Sequence, residues 1–195
     1  MNSNNTLYPV FLRLDRLSVL IVGAGEVGAE KLAFILKSSP DANITVVATW
    51  VSQDVEELLE KYNTEIQLRI KPFEDGDIAS FDIVIAATNI HEVNLDVHRA
   101  AKRQGKIVNV ADTPALCDFY MGAIVTRGDL KLGISTNGKS PTFAKRFRQL
   151  LEDILPEESN SLINNLKIVR DRLGGNFEEK VKKLNHITKS LVEHE

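Results

Sequence analysis

The sequence predicts an α/β protein: a parallel sheet covered by helices, followed by a small strand pair and a helical C-terminal region. Three observations carry that expectation. β-Branched apolar runs alternate with amphipathic helical stretches from about residue 18 to 111. The runs are nearly continuous in apolar character, as strands covered on both faces require. After Asp112 the rhythm changes, first to two short strands and then to helix alone.

The strands are expected at "SVLIVG" (18–23), "ITVVAT" (44–49), "IQLRIK" (66–71), "DIVIAAT" (82–88) and "KIVNVAD" (106–112). Apolar residues recur at helical spacing near 26–38, 52–62 and 92–104, which completes a Rossmann-like alternation. "YMGAIVTRGDLKLGIST" reads as two strands turned at Arg127-Gly128-Asp129, and the remainder as helices over 141–154, 157–173 and 176–193, broken at Gly174-Gly175. Thr113-Pro114 interrupts the chain, so the expected divisions are a dinucleotide-binding domain over 1–113, a strand pair over 114–140 that serves dimerisation, and a helical domain over 141–195.

Composition narrows the function. A chain of 195 residues can bury a real core. Lysine and arginine number 24 against 27 acidic residues, a formal net charge of -3, which gives no general reason to expect nucleic acid or an acidic membrane surface as partner. Cys117 is alone and cannot form an internal disulfide, so a reducing cytosol is the natural compartment. Neither Cys117 nor His91, His98, His186 and His194 has metal-ligand spacing, so no resident metal is expected; Cys117 reads as a small buried hydrophobe. "MNSNNTLYPVFLRL" reads as neither signal nor transit peptide, and no apolar run approaches the roughly 20 residues that span a bilayer. The expectation is a soluble, cytoplasmic protein.

The first chemical motif is "IVGAGEVGAEK", where Gly23, Gly25 and Gly28 have the G-x-G-x-x-G spacing between a strand and a helix. The first glycine permits the tight turn, the second lets a pyrophosphate approach the backbone, and the third lets helix and strand pack closely. A carboxylate for the ribose 2′-hydroxyl is commonly found at the end of the second strand, but Ala48-Thr49-Trp50 stands there, with neither an acid nor an arginine. NAD is therefore only slightly favoured over NADP. Trp50 either stacks on the adenine or covers the strand end. Thr88 belongs to the carboxyl edge where open α/β sheets place ligands, or simply caps its strand.

Asp112 ends the fifth strand, beside the place of a nicotinamide. A carboxylate there either accepts a proton or fixes a substrate nitrogen, or it caps the next turn. Further on, "ISTNGKSPTFAKRFRQLLE" (134–152) joins a polar turn to a basic helix start, with Lys139, Lys145, Arg146 and Arg148 crowded together. Helix N-termini attract anions, so the stretch suits a ligand with carboxylates or phosphates. The alternative is that Ser140 caps the helix before Pro141 while the basic residues face water.

Taken together, "YPVFLRL", "LIVGAGEVGAEK", "AATNIHEVN", "NVADTP" and "ISTNGKSPTFAKRFRQLLE" resemble, in order and spacing, the precorrin-2 dehydrogenase family, also called the siroheme synthase N-terminal module. The resemblance runs from about residue 8 to 155. It implies NAD-dependent oxidation of precorrin-2 to sirohydrochlorin and, in some members, insertion of ferrous iron as a second substrate. It implies that the glycine loop with Glu26 and Val27 meets the cofactor pyrophosphate, that Thr49 and Trp50 meet the adenosine end, and that Asp112 is catalytic. The implied tetrapyrrole carries acetate and propionate arms, which suit Ser135, Thr136, Asn137, Gly138, Lys139 and Ser140 together with Lys145 and Arg146. Thr136 stands where members of the family carry a serine open to phosphorylation, and Ala24 interrupts their run of three glycines.

The chain carries no counterpart of the methyltransferase domain of the fused enzymes, so methylation of uroporphyrinogen is expected from another protein. "SLINNLKIVRDRL" repeats Leu162, Leu166, Val169 and Leu173 at helical spacing; the resemblance implies a homodimer in which such a stripe closes the partner's site, and packing on its own sheet is the alternative. A rival class is a dinucleotide-sensing regulatory module of the potassium-transport type, against which the missing acid after the second strand and the basic helix both count. A catalytically silent scaffold would bind the cofactor without turnover.

Overall fold

The computed structural model describes residues 5–62 and 66–189, which form two compact units. The first comprises Met1–Gly122 with Asn137–Lys139, and the second Ala123–Thr136 with Ser140–Glu195.

The first unit is a parallel five-stranded sheet in the order β3-β2-β1-β4-β5. Its strands are β1 (Ser18–Val22), β2 (Asn43–Ala48), β3 (Gln67–Ile70), β4 (Ile83–Ala86) and β5 (Ile107–Val110). The helices α1 (Glu26–Ser38), α2 (Gln53–Tyr62) and α3 (His91–Arg103) connect them. Successive strand residues point to opposite faces, and the core divides accordingly. Val19, Ile21, Ile44, Val46, Ile83 and Ile85 pack with Leu32, Ile35 and Leu36 of α1. Leu20, Val22, Val84, Ala86, Val108 and Val110 pack with Val97, Ala100 and Ala101 of α3. This is why these runs are apolar throughout: both faces are covered. β3 departs from the expectation. All its residues are exposed, and the alternation in "QLRI" is that of an edge strand.

In the second unit, β6 (Ala123–Arg127) and β7 (Leu130–Ile134) pair antiparallel, with Arg127 opposite Leu130. Gly128 has φ +57° and Asp129 does not share the left-handed region, the arrangement of a type II′ two-residue hairpin. The Asp129 N–H donates to Asn160 Oδ1 at 2.9 Å, which ties the hairpin to α5 (Ser159–Arg172). α4 (Pro141–Ile154) precedes it and α6 (Phe177–Ile187) follows. The expected third helix extended to residue 193; positions 190–195 lie outside the described residues. On α5, Leu166 and Val169 are only half-buried, as is Leu173 at its C-cap, and Leu162 is exposed. On α4, Phe143, Phe147, Leu150 and Ile154 form an exposed stripe, with the two phenyl rings stacked at 5.8 Å.

Candidate functional site

A cleft of about 460 Å³ opens along the carboxyl edge of the sheet in the first unit. Four consecutive strands of the sheet order contribute to it: Gly23 to Val27 after β1, Thr49 and Trp50 after β2, Lys71 to Phe73 after β3, and Thr88 to Ile90 after β4. Val93 and Asp96 of α3 complete the lining. This is the crevice of a doubly wound sheet, where the chain leaves β1 in one direction and β4 in the other.

The glycines are demanded by crowding. Gly23 has φ +112°, and a Cβ there would collide with the Ala87 carbonyl. Gly28 is buried in α1, where a Cβ would run into the Gly23 carbonyl, so it seats the helix on the strand without lining the cleft. Gly25 is the N-cap of α1 and supplies no side-chain cap. A Cβ on Gly25 would meet the Trp50 indole at 3.4 Å, so the glycine keeps the backbone bare beside an exposed aromatic ring. The Ser52 N–H donates to the Ala24 carbonyl at 2.9 Å and fixes the Trp50 loop against the glycine loop. A bare helix N-terminus, a backbone with no Cβ in the way and an exposed indole fit the pyrophosphate and adenosine of a dinucleotide. Glu26, as the first helical residue, has an acidic side chain that favours the helix dipole but repels an anion, which leaves its backbone N–H as the group there suited to one.

Thr88 is held by a residue that sequence reasoning missed. Asn94 is buried; its Oδ1 accepts from the Thr88 N–H at 3.1 Å and the Thr88 hydroxyl at 2.8 Å, while its Nδ2 donates to the Thr88 carbonyl at 2.9 Å. The signal was present: Asn94 is a polar residue on the buried face that α3 shares among Val97, Ala100 and Ala101. Lys71, Asn89 and Asp96 also line the cleft without having been singled out.

Asp112 is exposed and does not line the cleft. It follows β5 at the same register level as Thr88 follows β4, since Ala86 pairs with Val110. The Thr113 N–H donates to the Val110 carbonyl at 3.2 Å, and Asp112 has φ +57°, so it occupies the third position of a type II turn. That position ordinarily takes glycine or asparagine. Cys117 is less apolar than expected: its Sγ accepts from the Val110 N–H at 3.3 Å and lies 3.4 Å from Asn109 Nδ2, and burial pushes the thiol's pKa up.

The residues Ser135 to Ser140, Lys145 and Arg146 are not part of the cleft lining. Asn137 and Gly138 have φ +54° and +74°, and the Ser140 N–H donates to Thr136 Oγ1 at 3.2 Å. Ser140 caps α4, its Oγ accepting from the Phe143 N–H at 3.2 Å, with Pro141 at the first position. Arg146 bonds Gln149, and Arg148 pairs with Glu152 one turn on. Among the described residues no group of three or more His, Cys, Asp or Glu could hold a metal ion, and no helix is long and apolar enough to cross a membrane.

Sheet order, crevice and glycine loop together define a doubly wound, dinucleotide-binding protein. The comparisons with known proteins specify it further. Residues 10–123 match the family model described as "Putative NAD(P)-binding", and residues 127–154 match "Sirohaem biosynthesis protein central". The siroheme synthase of Pseudoalteromonas atlantica is 34% identical over 183 residues, 93% of this chain and 37% of that protein. The siroheme synthase of Methylococcus capsulatus is 39% identical over 165 residues, 85% of this chain and 34% of that protein. The chain thus spans about a third of the length of these curated relatives. A solved precorrin-2 dehydrogenase, SirC, superposes with a TM-score of 0.72 at 27% identity, covering 93% of this chain and 89% of that one. The chain belongs to the precorrin-2 dehydrogenase family, the siroheme synthase N-terminal module.

Proposed function

We propose that the protein is an NAD-dependent dehydrogenase that oxidises precorrin-2 to sirohydrochlorin in siroheme biosynthesis. The observation that carries the proposal is the cleft at the carboxyl edge, with its bare glycine backbone beside Trp50, together with a carboxylate held in the left-handed region at the end of the neighbouring strand. Bound there, NAD supplies a hydride acceptor. Gly23, Gly25, Glu26 and Val27 hold the pyrophosphate through the backbone, Gly28 seats the helix, Thr49 and Trp50 cover the adenosine, and Thr88 borders the nicotinamide half. Asp112 takes the proton that leaves the macrocycle as the hydride departs.

Ser135, Thr136, Asn137, Gly138, Lys139, Ser140, Lys145 and Arg146 bind the carboxylate arms of the substrate in this reading, since charge-assisted bonds to carboxylates are the stronger kind. Because Ser140 Oγ already caps α4, its contribution to an anion comes from the backbone of the turn. The functional division that suits this chemistry is dinucleotide binding by 1–113, dimerisation by 114–140 and a helical domain over 141–195. The exposed stripe Phe143, Phe147, Leu150 and Ile154 supports a homodimer. A cytoplasmic location accords with the lone cysteine.

The test is an anaerobic assay with enzymatically made precorrin-2 and NAD. Reduced cofactor and sirohydrochlorin appearing together establish the dehydrogenase, and an iron-dependent spectral change above the enzyme-free rate, after ferrous iron is added, establishes chelation. Cofactor binding without oxidation, with NADP also tried, returns the regulatory or scaffold reading.

A further inference from the structure

The end of β2 leaves a question that β3 answers. The cleft accepts an adenosine without the acid that usually reads the ribose 2′-hydroxyl, because Ala48-Thr49-Trp50 stands at that place. The neighbouring strand end is drawn in to the same spot: the Lys71 N–H donates to the Ala48 carbonyl at 2.9 Å. Lys71 lines the cleft, followed by Pro72 and Phe73. Its ammonium is engaged by two carboxylates, Glu74 Oε2 at 2.9 Å and Asp77 Oδ1 at 3.0 Å. The Asp77 side chain is only 9% exposed and also accepts from the Glu74 N–H, so the cluster is built into the chain's turn after β3. One cation against two anions leaves the group with a net negative charge.

We infer that the Lys71–Glu74–Asp77 cluster serves the adenine ribose in place of the missing acid and sets a preference for NAD over NADP. The inference rests on the dinucleotide reading of the cleft. An unmodified 2′-hydroxyl meets a polar group able to hydrogen-bond with it, whereas a 2′-phosphate brings about two further negative charges to a lysine whose charge is already balanced by two carboxylates that stand behind it, outside the cleft lining. Repulsion and the cost of breaking the lysine's ion pairs both act against the phosphate. A lone lysine there would do the opposite, as its ammonium is a ready phosphate partner. The selectivity therefore lies in the two carboxylates.

The experiment is direct titration of the full chain with NAD and NADP by calorimetry, repeated with the reduced forms by fluorescence. The wild-type chain is expected to bind NAD at least about tenfold more tightly than NADP. Glu74→Lys, at a side chain that is 75% exposed and so tolerant of exchange, is expected to raise the NADP-to-NAD affinity ratio by roughly tenfold at low salt. Asp77→Asn moves it in the same direction, with circular dichroism reporting that the fold is kept. A wild-type chain that binds both dinucleotides equally, or a ratio unmoved by both variants, overturns the inference while leaving the cofactor reading intact. A chain that binds neither dinucleotide removes both.

Discussion

Two glycine-bearing turns in this molecule each lead into a helix, and they solve different problems. The Gly23–Gly28 loop is made by crowding: Cβ atoms at Gly23 and Gly28 would enter the Ala87 and Gly23 carbonyls, and α1 begins on Gly25 with no side chain over its amides. The Asn137–Ser140 turn is open. A Cβ on Gly138 would meet nothing within 4 Å, glycine is favoured there by φ alone, and Ser140 fills the first turn of α4 with its own hydroxyl. The backbone dipole is positive at the helix N-terminus in both places. What distinguishes them is whether the chain has already satisfied its own amides.

Substitutions can break this contrast, and the largest effect belongs to the crowded turn. Gly23→Ala forces a side chain into a carbonyl at φ +112°, and an unfolding loss of about 3 kcal/mol or more in urea titration is expected, with dinucleotide binding lost. Gly138→Ala, strained only by φ +74°, should cost about 1 kcal/mol. Equal losses at the two glycines would erase the distinction.

Asp112 sharpens it on the side of chemistry. Asp112→Gly removes a left-handed non-glycine residue and should leave stability unchanged or raise it by about 0.5–1 kcal/mol. Turnover of precorrin-2 should meanwhile fall by roughly 100-fold or more, with NAD affinity unaltered. Retained turnover removes Asp112 from the catalytic role.

Asn94→Ala strips the partners from both backbone groups of Thr88, and a loss of about 1–3 kcal/mol in thermal unfolding is expected. Ser140→Ala should cost about 1 kcal/mol through the lost cap, since α4 depends on that hydroxyl as α1 depends on none. The smallest effect concerns acid. Burial raises the Asp118 carboxyl pKa, but hydrogen bonds from Lys102 and the Val108 N–H outweigh it and hold it below the usual range. A depressed folded-state pKa gives stability that is full above the unfolded value and lost as pH falls through the folded one. Asp118→Asn should therefore flatten the acid limb of the stability profile.

Much of the frame was legible because it rests on local pattern. Helices α1 and α4 occupy the expected residues 26–38 and 141–154, and each strand of the parallel sheet falls within its expected run, one residue out at the start of β2. The strands end short of their apolar runs, although Ala87 and Ala111 just beyond β4 and β5 still donate to the Val22 and Ala86 carbonyls at 2.8 and 2.9 Å. The two short 3₁₀ turns at Asp75–Ile78 and Pro114–Leu116 went unread, since a single turn leaves no periodicity. Within the cleft, the glycine loop, Thr49, Trp50 and Thr88 were visible as a motif and as strand ends. Lys71 and Asn94 were not, because their meaning depends on a neighbouring strand and on a hydrogen-bond partner six residues away.

The sequence by itself determined the parallel sheet, its helices and the glycine loop at the head of α1, for each is written in the period of apolar residues and in glycines at fixed spacing. Tertiary structure alone decided that β3 is an exposed edge, that Asn94 holds Thr88, that Asp112 occupies a left-handed turn and that Lys71 reaches the end of β2. These depend on which strands become neighbours and which polar groups are left to pair, and both are fixed only when the sheet is assembled.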